Sequence, residues 1–457
     1  MKALPVIAIY DVGKTNKKLF LFDEQYKIVF EKSAKFNEIT DEDGDACENQ
    51  ESLRLSVFDS LREIFRKKEF EIKAINFSAY GASLVNIDDE GLPVTPLYSY
   101  LKEYPAELHN RFYNTYGGEI AFSHQAASPI LGSLNSGMQL YRLKYERPEV
   151  FAKVKYALHL PQYISYLITG VPCSDITSIG CHTNLWDFQK NQYHEWVFKE
   201  GIAEKLAPIL PGDEVLTAAF GNNYSVGIGL HDSSAAMIPY LVNFHEPFVL
   251  ISTGTWCISL NPFNDTPLTT EELANDCLCY LTYQGKPVKA SRLFAGYDHE
   301  QQIKILSQRF DKPMHYYKNV QFDIGIYSKL QSDWQQGDNF RQLLSTDDKE
   351  LSAIDNYEEA YHRLMMDIAA RQLKSTQYVL QGTKVKRIFV DGGFSKNSLY
   401  MNLLAILFPD IEVYAASMAQ ATAVGTALSI HKAWNSKALP NDLIELKYYS
   451  ITHDAAI

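Results

Sequence analysis

Two stretches of this chain share one plan, and any fold it adopts has to accommodate both. PVIAIYDVGKTNKKLFLF, from Pro5, and PFVLISTGTWCISL, from Pro247, each run an apolar strand into a polar turn holding glycine and threonine, then return in a second strand. Short apolar runs bounded by turn residues read as strands buried on both faces. Their recurrence in the two halves of the sequence predicts two lobes built alike, each offering a turn to a shared cleft. The length agrees, since 457 residues exceed what one hydrophobic core supports. The expected division is 1–244 and 245–457.

Composition narrows the function. The net charge of -12 argues against a general nucleic-acid or membrane-surface binder, so a phosphate ligand would have to be held locally. The start of the chain is too short and too broken by Asp11 to read as a signal peptide, and no run approaches a membrane span. Cys47, Cys173, Cys181, Cys257, Cys277 and Cys279 match no zinc spacing, so reduced thiols and a cytoplasmic location are expected.

Between the two hairpins lies GLHDSS. Asp232 follows the glycine-rich strand exit VGIGL and precedes small residues, which presents its carboxylate at the start of a helix, where the helix dipole is expected to keep it ionised. In the second turn, Thr253, Gly254 and Thr255 form a tight bend whose backbone amides are expected to be free for an anion. In the first, Gly13 lets the backbone approach an oxyanion, Thr15 and Asn16 supply donors, and Lys14, Lys17 and Lys18 supply positive charge. Asp11 has the chemistry to hold a hydrated Mg²⁺. Taken alone, each feature is more often structural than catalytic, a helix cap or an ordinary polar hairpin.

Elsewhere the signals are weaker. The acidic loop TDEDGDACEN invites a calcium reading but has Ala46 where an EF-hand needs glycine and Ser52 where it needs glutamate. Residues 51–68 read as a helix leading to a strand at 74–78, after which Tyr80, Gly81 and Ser83 stand where α/β proteins place ligand loops. Residues 136–171 read as helical scaffold, with a helix from Pro161 capped by Gly170. Asp175, Thr177, Thr183 and Asp187 either contact a hydroxylated ligand or bond their own loop. No motif stands out in 262–350, which includes the tract SDWQQGDNFRQ. From Asn356 a regular α/β pattern follows, with Gly392, Gly393 and Asn397 in the strand-to-helix turn GGFSKN.

DVGKTNKK, GLHDSS, STGTW, FVDGGFSKN and AQATAVGTAL, in that order, resemble the FGGY family of carbohydrate kinases, and the scaffold stretches RPEVFAKVKYALHLPQYISYLITG and SDITSIGCHTNLWDF extend the likeness over nearly the whole chain. The resemblance implies an α/β fold of two duplicated lobes, of the actin, Hsp70 and hexokinase type (ribonuclease H-like), with ATP between the lobes and a sugar deeper in the cleft. It makes Asp11 the Mg²⁺ partner and Asp232 the catalytic base. It places Gly13, Thr15, Asn16, Lys18, Thr253, Gly254 and Thr255 at the phosphates and Gly392, Gly393 and Asn397 on the adenosine side. His231, Tyr80, Gly81 and Asp175 fall on the sugar side.

His231 and Trp256 look like the branch holding rhamnulokinase, fuculokinase and xylulokinase, which implies phosphorylation of a ketose. Three departures leave the sugar open: Lys14 stands where many members have a small or hydroxyl residue, YSYLKEYPAEL lacks the Trp, Asp and Arg arrangement common in the family, and KASRLFAGYDHEQQI differs from the rhamnulokinase version. The rivals are a non-catalytic nucleotide-binding protein and a kinase with a non-sugar acceptor. A homodimer is left open.

Overall fold

The computed structural model describes residues 3–14, 16–220, 224–334 and 354–450; Thr15 and most of the SDWQQGDNFRQ tract lie outside these. Two seven-stranded sheets organise the chain. The first draws on β1 (Leu4–Val12), β2 (Lys17–Asp23), β3 (Ile28–Ala34), then, after helix α1 (Gln50–Arg66), β4 (Phe70–Ala79). After helix α2 (Leu160–Thr169) it is completed by β5 (Val215–Thr217), β6 (Ser225–Gly227) and β7 (Leu230–His231). Helix α3 (Asp232–Asn243) leads out of this sheet.

The second sheet holds β8 (Phe248–Thr253), β9 (Cys257–Asn261), β10 (Cys277–Leu281) and β11 (Pro287–Leu293). Helices α4 (Ala295–Arg309) and α5 (Tyr357–Leu380) follow, then β12 (Arg387–Gly392), α6 (Ser398–Leu407), β13 (Glu412–Ser417), α7 (Ala421–Ser429) and β14 (Glu445–Tyr449). The strand orders are β5-β6-β4-β1-β2-β3, with β7 also on β4, and β10-β11-β9-β8-β12-β13-β14.

The apolar runs that suggested doubly buried strands behave as such. Along β1, Val6, Ala8, Tyr10 and Val12 enter the core under α1 and α2, while Ile7 and Ile9 face the other way. Along β8, Val249 and Ile251 pack towards α4, α5 and α6, and Phe248 and Leu250 point to the opposite side. The remaining faces meet α3 and α7, which cross between the sheets. Ala235 and Ile238 of α3 and Ala423, Val424, Ala427 and Leu428 of α7 pack on the first sheet. Met237 and Tyr240 of α3 pack on the second. No helix among the described residues is long and apolar enough to cross a membrane.

The crossing is close because Gly425 has no side chain: a Cβ there would sit 1.9 Å from the carbonyl oxygen of Ala235. Gly425→Ala should therefore destabilise the protein by about 1–3 kcal/mol through overpacking against backbone. A urea midpoint equal to that of the unaltered chain would show that the helices separate without cost.

Candidate active site

Strand register builds the floor. Across β1, β4 and β7, Asp11, Ser78 and Leu230 lie side by side, so Asp232, two residues beyond Leu230, emerges beside Asp11. Ser78 Oγ donates to Asp11 Oδ1 at 2.9 Å. The amide of Ser233 donates to Asp232 Oδ1 at 2.6 Å, and His231 Nε2 lies 3.2 Å from the same oxygen. The Asp232 side chain keeps 32% of its exposure although protein surrounds it, the signature of a group at the bottom of an opening.

Burial pushes the Asp232 carboxyl up to about 6, against the two hydrogen bonds from Ser233. The helix start does not hold it in the ordinary carboxylate range, because loss of water outweighs the amide and hydroxyl that face it. Asp11 is likewise raised to about 6, first by burial and then by Asp232, while Ser78 and Lys18 act in the other direction. Two carboxyls share one poorly solvated place.

The walls are neutral. His231 is buried and its imidazole is lowered to about 4 by burial, with Nε2 3.3 Å from Cys181 Sγ. Gly81 packs on that ring: a Cβ there would come within 3.0 Å of it. Tyr80 is buried beside Gly81. Asp175 does not reach the opening. It is fully buried, accepts from Thr177 Oγ1 and from the Ser178 amide at 2.9 Å, and so caps the turn 176–179. Thr177 Oγ1 in turn accepts from the His231 amide at 2.9 Å, so Asp175 braces His231 from behind.

Thr183 and Asp187 also bond their own loop. Tyr100 was not singled out from sequence. Its ring lies 6.1 Å from that of Tyr80 and 6.0 Å from the Lys14 ammonium, and its hydroxyl is raised by burial, eased by Lys14 and raised further by Asp232. The one signal was that YSYLKE departs from the family pattern.

In the first turn the Gly13 amide donates to the Asn16 carbonyl at 2.9 Å. The lysines expected to supply free positive charge are already paired. Lys14 reaches Glu38 at 3.0 Å and Glu48 at 3.1 Å, Lys17 reaches Glu48 at 3.1 Å, and Lys18 reaches Glu31 at 3.1 Å. Beside Glu48, the acidic loop closes on an ammonium rather than a calcium ion: Lys102 pairs with Asp41, with Asp43 at 2.7 Å and with Asp45 at 3.2 Å.

In the second turn the Gly254 amide is not free, since it donates to the Trp256 carbonyl at 2.9 Å. The start of α4 closes over it, where a Cβ on Gly296 would lie 1.8 Å from the Gly254 oxygen, and the Tyr297 amide donates to the Thr255 carbonyl at 3.1 Å. Trp256 carries the Arg292 guanidinium 5.2 Å from its ring, and both Arg292 and Asp232 act on the Cys181 thiol, so this turn faces the region of the paired carboxyls.

Gly392 adopts φ +92°, and a Cβ there would lie 2.0 Å from the Thr253 oxygen, so the two glycine bends of this lobe touch. Gly393 and Asn397 line a pocket with Tyr317, Lys318, Gln321 and Lys396, and Asn397 also caps α6 and donates to Tyr361 Oη at 2.6 Å.

Residues 6–236 match the model of the FGGY family of carbohydrate kinases, N-terminal domain, and residues 245–323 match the carbohydrate kinase FGGY C-terminal domain. The chain belongs to the FGGY family. Curated relatives include a rhamnulokinase of Mannheimia succiniciproducens, 22% identical over 59% of this chain and 55% of its own length. Another is a rhamnulokinase of Halalkalibacterium halodurans, 22% identical over 54% of each chain. The chain thus spans about half the length of the curated relatives it matches.

Three solved structures share the fold over nearly all of the FGGY chain. A carbohydrate kinase from Novosphingobium aromaticivorans aligns with TM-score 0.79 and 23% identity over 98% of this chain and 94% of its own. A ligand-bound xylulose kinase from Lactobacillus acidophilus aligns with TM-score 0.80 and 16% identity, covering 99% and 94%. The glycerol kinase of Plasmodium falciparum with ADP gives 0.73 and 14%, covering 99% and 96%. The architecture is the two-domain actin and hexokinase type.

The raised carboxyls make stability depend on pH in a defined direction. Asp232 ionises near 3.8 in an unfolded chain and near 6 here. Between those values the folded protein binds the proton that the unfolded chain has lost, so this group's contribution falls as pH rises from about 4 to about 6 and stays low above. Asp232→Asn should therefore raise the unfolding midpoint at pH 8, by on the order of 1 kcal/mol for a group one-third exposed, and lose that advantage near pH 4. Equal midpoints at pH 8 would show that the carboxylate is fully solvated.

Proposed function

We propose that this chain is an ATP-dependent sugar kinase that transfers the γ-phosphoryl group to a hydroxyl of a ketose, of the rhamnulose, fuculose or xylulose class, with Asp232 as general base. The observation that carries this reading is the pair Asp11, near the end of β1, and Asp232, just past the end of β7, on strands that both pair with β4, with both carboxyls pushed up to about 6. A carboxyl poised there is basic enough to take a proton from an alcohol in the transition state and still ionised at neutral pH. The acceptor oxygen would bond to the γ-phosphorus as the bond to the β–γ bridging oxygen breaks, ADP would leave, and the alcohol proton would pass to Asp232. Positioning does most of the work in such a transfer.

The residues present fit the cofactors. Two under-solvated carboxyls, neither in salt-bridge contact with a lysine among the described residues, suit Mg²⁺, which keeps most of its waters and takes one or two protein oxygens. Asp11 would hold it, and the ion would supply charge neutralisation at the phosphates. Gly13, Asn16, Lys18 and Thr15 on one side and Thr253, Gly254 and Thr255 on the other would flank the phosphates. Gly392, Gly393 and Asn397 would take the adenosine at the pocket that also offers Lys318 and Lys396. His231, Tyr80 and Gly81 would meet the sugar. The division at 244/245 would separate a sugar-side domain from a nucleotide domain. A cytoplasmic location suits six buried free thiols.

A panel of ketoses in a coupled ADP assay should give sugar-dependent turnover with at least one member. The rate should rise with pH through about 6, a value that belongs to the Asp11 and Asp232 pair rather than to either alone. Asp232→Asn should lower kcat by roughly 10² to 10⁴. Nucleotide binding without turnover on any ketose would favour a non-catalytic protein, and turnover retained in Asp232→Asn would remove Asp232 from the role of base.

A further inference from the structure

Tyr240 lies on the helix that begins with Asp232, about 12 Å further along its axis at 1.5 Å per residue. It is fully buried, its ring packed 5.7 Å from that of Phe389 and 6.3 Å from that of Phe248 on the second sheet. Its hydroxyl donates to Asp391 Oδ2 at 2.9 Å. The other oxygen of Asp391 accepts from the Gly392 amide at 2.7 Å, and its backbone carbonyl accepts from Thr253 Oγ1 at 2.6 Å. The Gly393 amide donates to the Thr253 carbonyl at 2.9 Å, and the Phe394 amide donates to Thr253 Oγ1 at 3.0 Å.

All three amides from 392 to 394 are therefore spent inside the protein. The bend cannot offer them to a ligand; what it offers is a bare glycine surface whose shape Asp391 and Thr253 fix. We infer that Tyr240 is a positioning residue for the nucleotide, acting through Asp391 on the Gly392–Gly393 bend from the helix that also carries Asp232. The inference rests on the reading of this bend as the adenosine side. It makes one helix answerable for both halves of the site, the carboxylate at its start and the nucleotide surface two turns on.

Titration of Mg-ADP and Mg-ATP into the full chain, by calorimetry, tests this without knowledge of the sugar. Tyr240→Phe should weaken ADP binding about tenfold. Tyr26→Phe, which removes another buried bond between the lobes, from Tyr26 Oη to His431 Nδ1 at 2.6 Å, should stay within about twofold. Asp391→Asn should lose about as much as Tyr240→Phe, and the double variant little more, as expected for groups acting as a unit. If Tyr240→Phe fails to fold, Asp391→Asn carries the test.

A second readout separates positioning from general loosening. Asp391 is raised by burial and held back by Tyr240, by the Gly392 amide and by Lys396, the groups that face it. Without the phenol it takes a proton sooner, so as the pH is lowered ADP affinity in Tyr240→Phe should begin to fall at a higher pH than in the unaltered chain. Unchanged affinity in Tyr240→Phe, an equal loss in Tyr26→Phe, or parallel pH profiles would overturn the inference. A wild-type protein that binds no nucleotide would instead overturn the reading beneath it.

Discussion

The crossing of α3 and α7 is the contact on which the architecture depends. Each helix joins the two halves: α3 sends Ala235 and Ile238 to the first sheet and Met237 and Tyr240 to the second, and α7, which follows β13 of the second sheet, packs on the first. The backbones can approach because Gly425 is bare against the Ala235 carbonyl. Buried hydrogen bonds reinforce the seam: Asn76 Nδ2 donates to the Thr426 carbonyl at 2.9 Å and to Ser429 Oγ at 3.2 Å. A lone sheet edge or a surface helix could not hold Asp232 in place against its desolvation. A helix wedged between two sheets can, because displacing it would open two cores at once.

The duplication first suggested by two hairpins extends to individual hydrogen bonds. Gly13 and Gly254 each donate from the first glycine of the turn to a carbonyl across it, at 2.9 Å in both lobes. Tyr80 donates to the Val12 carbonyl at 3.1 Å, and Gly393 donates to the Thr253 carbonyl at 2.9 Å, so the strand parallel to each hairpin ends in the same way. On that shared frame the two halves have diverged in chemistry. The first sheet places Asp11 near one strand end and Asp232 just beyond another, and the second places Thr253, Gly392 and Asp391, whose polar groups bond one another.

What was legible in the sequence was local or periodic. The hairpins, the helix-to-strand steps at 51–79 and the unit from residue 356 announced themselves because alternation and turn residues act over a few positions. The candidate carboxylates were legible because each stands at a break between periodic elements. Partnerships across long separations were not. Nothing near Lys14 says that Glu38 and Glu48 will neutralise it, and nothing near Asp175 says that it will be sealed behind His231. Strands β10 and β11 also passed unnoticed, because Cys277–Leu281 is a short apolar run whose partner appears only once the hairpin with Pro287–Leu293 has closed. Tyr100 reaches the site through tertiary packing alone.

The pairing of the first-turn lysines bears on why the two carboxyls remain raised. An ammonium beside Asp11 or Asp232 would hold its carboxyl low and make it a poor proton acceptor. Lys14 and Lys17 stand in the adjoining turn, yet Glu48 bridges both, and Lys18 is drawn to Glu31 with only a minor effect on Asp11. The glutamates thus occupy the cations of the adjoining turn. The acidic 38–48 loop, which looks at first like a metal site, is where Lys14 and Lys17 find their partners. Lys102, taken by Asp41, Asp43 and Asp45, extends the same arrangement along the loop. Among the described residues neither carboxyl is in salt-bridge contact with a lysine or arginine, and burial outweighs the hydrogen bonds that face each of them.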